Sequence, residues 1–197
     1  MRSVITEKTF ICAASGPSLI RSDCELVTAS GLPVIAVNNT WQQFSRLYAL
    51  CAGDLAWWVQ HYDAVPAEDF RRITASKSAK SRFPDLEYRR YCASRESFNS
   101  GAMAIEFAAE QGAETILLIG YDCSLKYGQH WHGTHPQTLR NPSQHSIDKW
   151  QSEFLRTREK WPHVDIINCS RYTELKCYQL KNLEKALESS LLARAQA

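Results

Sequence analysis

The sequence contains no run of the roughly 18–20 apolar residues that a membrane-spanning helix needs. It also lacks any CxxC pair: the seven cysteines, at 12, 24, 51, 92, 123, 169 and 177, are scattered and odd in number. Several sit inside apolar runs such as Phe10-Ile11-Cys12-Ala13. That pattern fits buried free thiols in a reducing compartment and speaks against a disulfide framework. Excess charge of one sign is missing too. The net charge is only +2, so no global field recruits nucleic acid. Neither a lysine-bearing P-loop nor a three-glycine dinucleotide fingerprint occurs. There is no internal repeat, no low-complexity tract and no signal-peptide pattern after Met1-Arg2-Ser3. A cytoplasmic protein is expected, with residues 1–197 forming one domain and self-association left open.

What the sequence does have is a series of short, non-alternating apolar runs, the mark of strands buried on both faces. They cover residues 9–14, 33–37, 47–52, 115–120 and 164–168. Helical patterns separate them: one beginning near Ser18, one after Asp54, and others at 99–112 and 146–160, with a charged amphipathic helix near 180–195 at the end. The alternation predicts an α/β fold of Rossmann-like type, a mostly parallel sheet flanked by helices. Residues 63–98 are irregular, charged and broken by Pro66 and Pro84, and are expected to form an insertion or lid. Their cluster of basic residues, from Arg71 to Arg95, reads as a solvated face or an anion contact.

In open parallel sheets, ligands bind beyond the carboxyl ends of the strands. Polar residues follow all five apolar runs: Ser15-Gly16, Asn38-Asn39, Gly53-Asp54, Gly120-Tyr121-Asp122 and Asn168. Each alone is an ordinary turn, but together they predict one shared pocket. Gly16-Pro17-Ser18 lies between a strand and a helix, where backbone N–H groups and a helix dipole suit a phosphate. Asn99, Ser100 and Gly101 open the helix at 99–112 and offer the same chemistry. The string His130-Trp131-His132-Gly133-Thr134-His135 is suited to proton transfer, anion binding or metal ligation; catalysis or anion binding without metal is preferred over a bound metal. The order of preference for a catalytic base is His132, then His145, then His135.

Gly16-Pro17-Ser18-Leu19, the strand ending in Asn38 and Asn39, the helix opening Asn99-Ser100-Gly101 and the run from Gln111 to Asp122 form a pattern. It resembles two related groups, the bacterial lipooligosaccharide-type sialyltransferases and the 6-hydroxymethylpterin diphosphokinase-like family, with small phage-encoded relatives. The sialyltransferase likeness implies a nucleotide-sugar-dependent glycosyltransferase. A CMP-type donor would lie among Gly16, Ser18, Asn38, Ser100, Gly101 and Asp122, and His145-Ser146 ahead of a helix would carry the general base. The loop between Asp122 and His145 is shorter than in that family, and Tyr127 is its only tyrosine. The diphosphokinase likeness implies instead an ATP pocket in which Asp54 or Asp122 holds magnesium. A histidine-cluster metallohydrolase and a non-catalytic nucleotide-binding module are the remaining alternatives. On each phosphate-binding reading the partner is a small nucleotide ligand; the transferase reading leaves the acceptor open.

Overall fold

Thr9–Ala13 (β1) is buried along its whole length, which accounts for its lack of alternation. Val34–Val37 (β2) and Ala49–Cys51 (β3) share that character, and Thr115–Ile119 (β6) does so from Ile116 onward. Arg71–Thr74 (β4), Glu87–Tyr88 (β5), Asp165–Asn168 (β7) and Gln179–Leu180 (β8) complete the strands. The computed structural model describes residues 8–66, 70–90, 99–134, 139 and 141–196. Within them the strands form one sheet in the order β5-β4-β3-β2-β1-β6-β7-β8. Every neighbouring pair is parallel.

Successive residues of the central strands serve opposite faces, as the pleat requires. Phe10, Cys12, Ile116 and Leu118 pack beneath the helices Ser100–Glu110 (α4) and Gln144–Lys160 (α5). Ile11, Ala13, Leu117 and Ile119 pack on the other face beneath Arg21–Ser30 (α1) and Leu183–Ala195 (α6). A third cluster forms where Ala36 and Leu50 meet Trp57 and Trp58 of Leu55–His61 (α2) and Leu86, which follows Lys77–Arg82 (α3). Helix α4 is the most enclosed of the helices, buried from Ser100 to Ala109. Even its Glu106 is 6% exposed, with the carboxylate paired to Lys160 of α5. Among the described residues no helix is long and apolar enough to cross a membrane.

Within the irregular stretch 63–98, residues 71–74 and 87–88 extend the sheet, with Cys51 opposite Ile73 and Ile73 opposite Glu87; residues 67–69 and 91–98 lie outside the described residues. Three of the arginines described there, Arg71, Arg72 and Arg89, pair with carboxylates of the same segment. Arg71 donates to both carboxylate oxygens of Glu87, at 2.6 and 2.9 Å, and its guanidinium lies 4.6 Å from the centre of the Phe107 ring. Arg72 pairs with Asp85, and Arg89 with Glu87. Arg95 lies outside the described residues.

Burial alone would raise the Glu87 carboxyl, but Arg71 first and Arg89 second outweigh it and hold its pKa below the usual carboxylate value. A depressed pKa adds stability above the unfolded-state value and loses it as pH falls through the folded one. Glu87→Gln is expected to lower unfolding stability by about 1 kcal/mol at neutral pH. In urea denaturation the gap from the parent should narrow as pH drops below about 4.

Candidate functional site

The chain runs outward from β1 through β2, β3, β4 and β5, then returns to place β6 on the other side of β1. The crossover connections therefore diverge at the carboxyl ends of β1 and β6, the topological switch point at which such sheets bind ligands. A cleft of about 630 Å³ opens there, bounded by the turn after β1, the turn after β6, and the first turns of α4 and α5. Asn38 and Asp54, beyond β2 and β3, complete its rim. A cavity of similar volume, about 650 Å³, lies beside the amino end of β7, around Trp161, His163 and Asp165. It has no strand-to-helix turn in its wall, so the switch-point cleft is the better ligand site.

Two glycines let the turns after β1 and β6 touch. Gly120 adopts φ +68°, and a Cβ there would stand 2.3 Å from the Ala14 carbonyl oxygen. Gly16 donates its N–H to the Gly120 carbonyl at 2.9 Å. A Cβ on Gly16 would fall 2.2 Å from an Asp122 carboxylate oxygen. Asp122 in turn accepts from the Ser18 amide at 2.8 Å and the Ser18 hydroxyl at 2.6 Å. Burial pushes its carboxyl above the usual range, against the pull of those two bonds. The sequence predicts a phosphate-suited turn at Gly16, and the resemblances imply a donor or magnesium contact at Asp122. What meets Gly16 is the Asp122 carboxylate, and both Asp122 oxygens hold the Ser18 turn.

At α4, the Asn99 side chain caps the helix by accepting from the Ala102 amide at 3.0 Å. Its amide nitrogen, Nδ2, is buried and has no hydrogen-bond partner among the described residues. The Ser100 hydroxyl accepts from the Gly53 amide at 2.9 Å, and the Tyr121 hydroxyl donates to the Gly101 carbonyl at 3.0 Å. Burial drives the Tyr121 phenol far above its ordinary pKa, so it stays a neutral donor. Asn99, Ser100 and Gly101 thus wall the cleft with the positive end of an 11-residue helix.

Gly16, Pro17, Asn38, Asp54, Asn99, Ser100, Gly101, Gly120 and Asp122 all line the cleft, as does His145. Asn39 does not: it is buried, and its side-chain oxygen accepts from the Trp57 indole at 2.7 Å. Ser18 acts through Asp122 rather than forming the wall. Asn168, fully buried, ties down residues 170–173, so four of the five expected strand ends meet at the cleft. Helix α5 begins two residues earlier than expected, capped by Ser143, which places His145 within its first turn instead of ahead of it.

The histidine cluster divides. His130 reaches the cleft wall, with Nδ1 3.0 Å from the Ser15 hydroxyl oxygen. His132 stacks on His130, ring centres 5.0 Å apart and planes within 9°, and is not among the cleft-lining residues. His135 lies outside the described residues. Stacked rings do not converge on one ion, and among the described residues no group of three metal-binding side chains is assembled. Sequence reasoning missed His130 as the cleft-facing member of the cluster, along with Gln129, Lys149 and Trp150. Cys123 also lines the cleft, but burial pushes its thiol up to about 12, so it is not a nucleophile at neutral pH.

Fold and site define a doubly wound, parallel α/β protein with a ligand cleft at its switch point. No protein-family model matches the chain, and no curated protein matches it in sequence. Among solved structures it is similar in fold to the MAf glycosyltransferase of Magnetospirillum magneticum AMB-1, with a TM-score of 0.63 and 12% identity. The likeness covers 96% of this chain but 37% of that one, so the chain spans well under half the length of its neighbour.

If Asp122 fastens the paired turns, Asp122→Ala should cost about 1–3 kcal/mol of stability by leaving the Ser18 amide and hydroxyl unsatisfied. Chemical denaturation checks this; an unchanged midpoint would show that the carboxylate serves only the cleft.

Proposed function

We propose that the chain is a nucleotide-sugar-dependent glycosyltransferase-like enzyme, with a CMP-type donor as first choice and His145 as general base. The observation that carries this reading is the wall formed by Asn99, Ser100 and Gly101. It brings a helix amino end, and a buried amide nitrogen without a hydrogen-bond partner among the described residues, to the switch point. Such a wall suits the phosphate of a nucleotide. The fold likeness to a glycosyltransferase, over nearly the whole chain, supports the same reading.

His145 and Lys149 are four residues apart on α5, so they share a helix face, and both line the cleft. In the proposed reaction His145 accepts the proton of the acceptor hydroxyl as that oxygen bonds to the anomeric carbon. The bond from the anomeric carbon to the phosphate oxygen breaks, and its electron pair leaves with the nucleotide. The amide donors at α4 and the Lys149 ammonium stabilise that departing charge. The diphosphokinase reading is less well supported, because Asp122 is committed to Ser18 and Asp54 is then the remaining proposed magnesium ligand.

A thermal-shift panel of CMP, UDP, GDP, ATP and their sugar conjugates, with and without magnesium, tests this. A CMP- or UDP-type compound should raise the midpoint without metal and in proportion to the logarithm of its concentration. A response to ATP only with magnesium would transfer the assignment to the kinase, and no response would overturn the nucleotide reading. His145→Gln should leave that binding intact and slow donor turnover by roughly 10²–10⁴-fold, removing the acid limb of the pH profile.

A further inference from the structure

The Ser15–His130 pair has no part in the reaction just described, and its construction is specific. The segment around residue 130 is tied to the turn after β1 twice. The Trp131 amide donates to the Ser15 carbonyl at 3.0 Å, and the Ser15 hydroxyl and His130 Nδ1 lie 3.0 Å apart. The Trp131 indole adds a third tie, donating to the Thr40 hydroxyl at 3.3 Å. Ser15 and His130 both line the cleft, on the side formed by the β1 turn, while α4 supplies another wall.

A serine hydroxyl has one proton to donate, and an imidazole Nδ1 either accepts a hydrogen bond or donates one according to its protonation. With His130 neutral and Nδ1 bare, Ser15 donates to His130, and its oxygen presents lone pairs to the cleft. With His130 protonated, Nδ1–H donates to the Ser15 oxygen, and the hydroxyl proton is released to point at a ligand. The first arrangement repels an oxyanion and the second attracts one.

We propose that Ser15 is an oxyanion-contacting donor of the cleft and that His130 is the positioning residue that turns its hydroxyl toward the ligand, taking up a proton as it does so. The proposal rests on the reading of the cleft as a phosphate site and adds a mechanism to it. Binding of a tetrahedral oxyanion and protonation of His130 are then linked, each favouring the other to the same degree. Among the described residues, the titratable groups facing this region are His132, stacked on His130, and Asp54, Tyr121, Asp122, Cys123, His145 and Lys149 along the cleft. Their charges bias the His130 titration but do not pass through Ser15, and that separates the linkage from a simple field effect.

The test uses sulfate, a tetrahedral dianion whose charge does not change over the pH range in which histidine titrates. The His130 ring signal, identified by its loss in His130→Asn, is followed by NMR from about pH 5.5 to about pH 8 with sulfate or with chloride at matched ionic strength. Sulfate should raise the His130 pKa by roughly one unit in the parent protein. In Ser15→Ala at least half of that rise should vanish. His130→Asn keeps a neutral donor at the Nδ1 position, so its sulfate binding should depend on pH less steeply than that of the parent, with only the field of His132 and His145 left to titrate. That arm carries the test alone if Ser15→Ala fails to fold.

A His130 titration indifferent to sulfate, an undiminished rise in Ser15→Ala, or sulfate binding to His130→Asn that weakens with rising pH as steeply as in the parent would each overturn the proposal. The outcomes separate it from the broader reading. Nucleotides that stabilise the protein without moving His130 would defeat the linkage and leave the nucleotide site standing. A sulfate-linked His130 in a protein that no nucleotide stabilises would do the reverse.

Discussion

The contact between the turns after β1 and β6 is the constraint on which the rest of the site depends. At the switch point two crossovers leave in opposite directions, and the backbone must fill the gap that opens between them. Here it does so by bringing Gly16 and Gly120 into hydrogen-bonding contact at 2.9 Å, closer than any side chain at either position allows. Asp122 then holds the far side of the first turn through Ser18. With the turns joined, the cleft has a rigid floor, and Ser15 is presented from it toward His130.

The strongest sequence signals were those set by burial on both faces. β1, β2 and β6 were recognisable because every residue in them is buried or nearly so, and the polar residues that follow mark where the sheet meets the cleft. β4 and β5 were hidden by their own chemistry. Arg71 and Glu87 lie on adjacent strands and neutralise each other, so each strand alone reads as a charged loop while the pair forms a sheet edge. β8 was hidden for a simpler reason: its two residues are exposed and carry no pattern.

At the site, residue types were readable but their partners were not. Strand-end residues such as Asn38, Asp54 and Gly120 reach the cleft because topology alone carries them there. Asn39 and Asn168 are equally polar and equally placed in sequence, yet each holds a neighbouring segment, through the Trp57 indole in one case and the Ser170–Thr173 loop in the other. The histidines make the same point. His130 rather than His132 meets the cleft because the Trp131 amide bonds to the Ser15 carbonyl, a contact across more than a hundred residues that no local pattern encodes.

The common feature of these walls is an excess of neutral hydrogen-bond donors over committed charge. Asp122 is engaged, Tyr121 is held neutral by burial, and α4 offers amide groups rather than a lysine cluster. Such a cleft suits a phosphate held by oriented dipoles. A crystal structure of the protein with CMP tests this most directly. The account predicts the phosphate within hydrogen-bonding distance of the Ser100 and Gly101 amides, on the β1 side of the cleft. CMP seated beside the amino end of β7, or in the cleft with its phosphate turned away from α4, would contradict it.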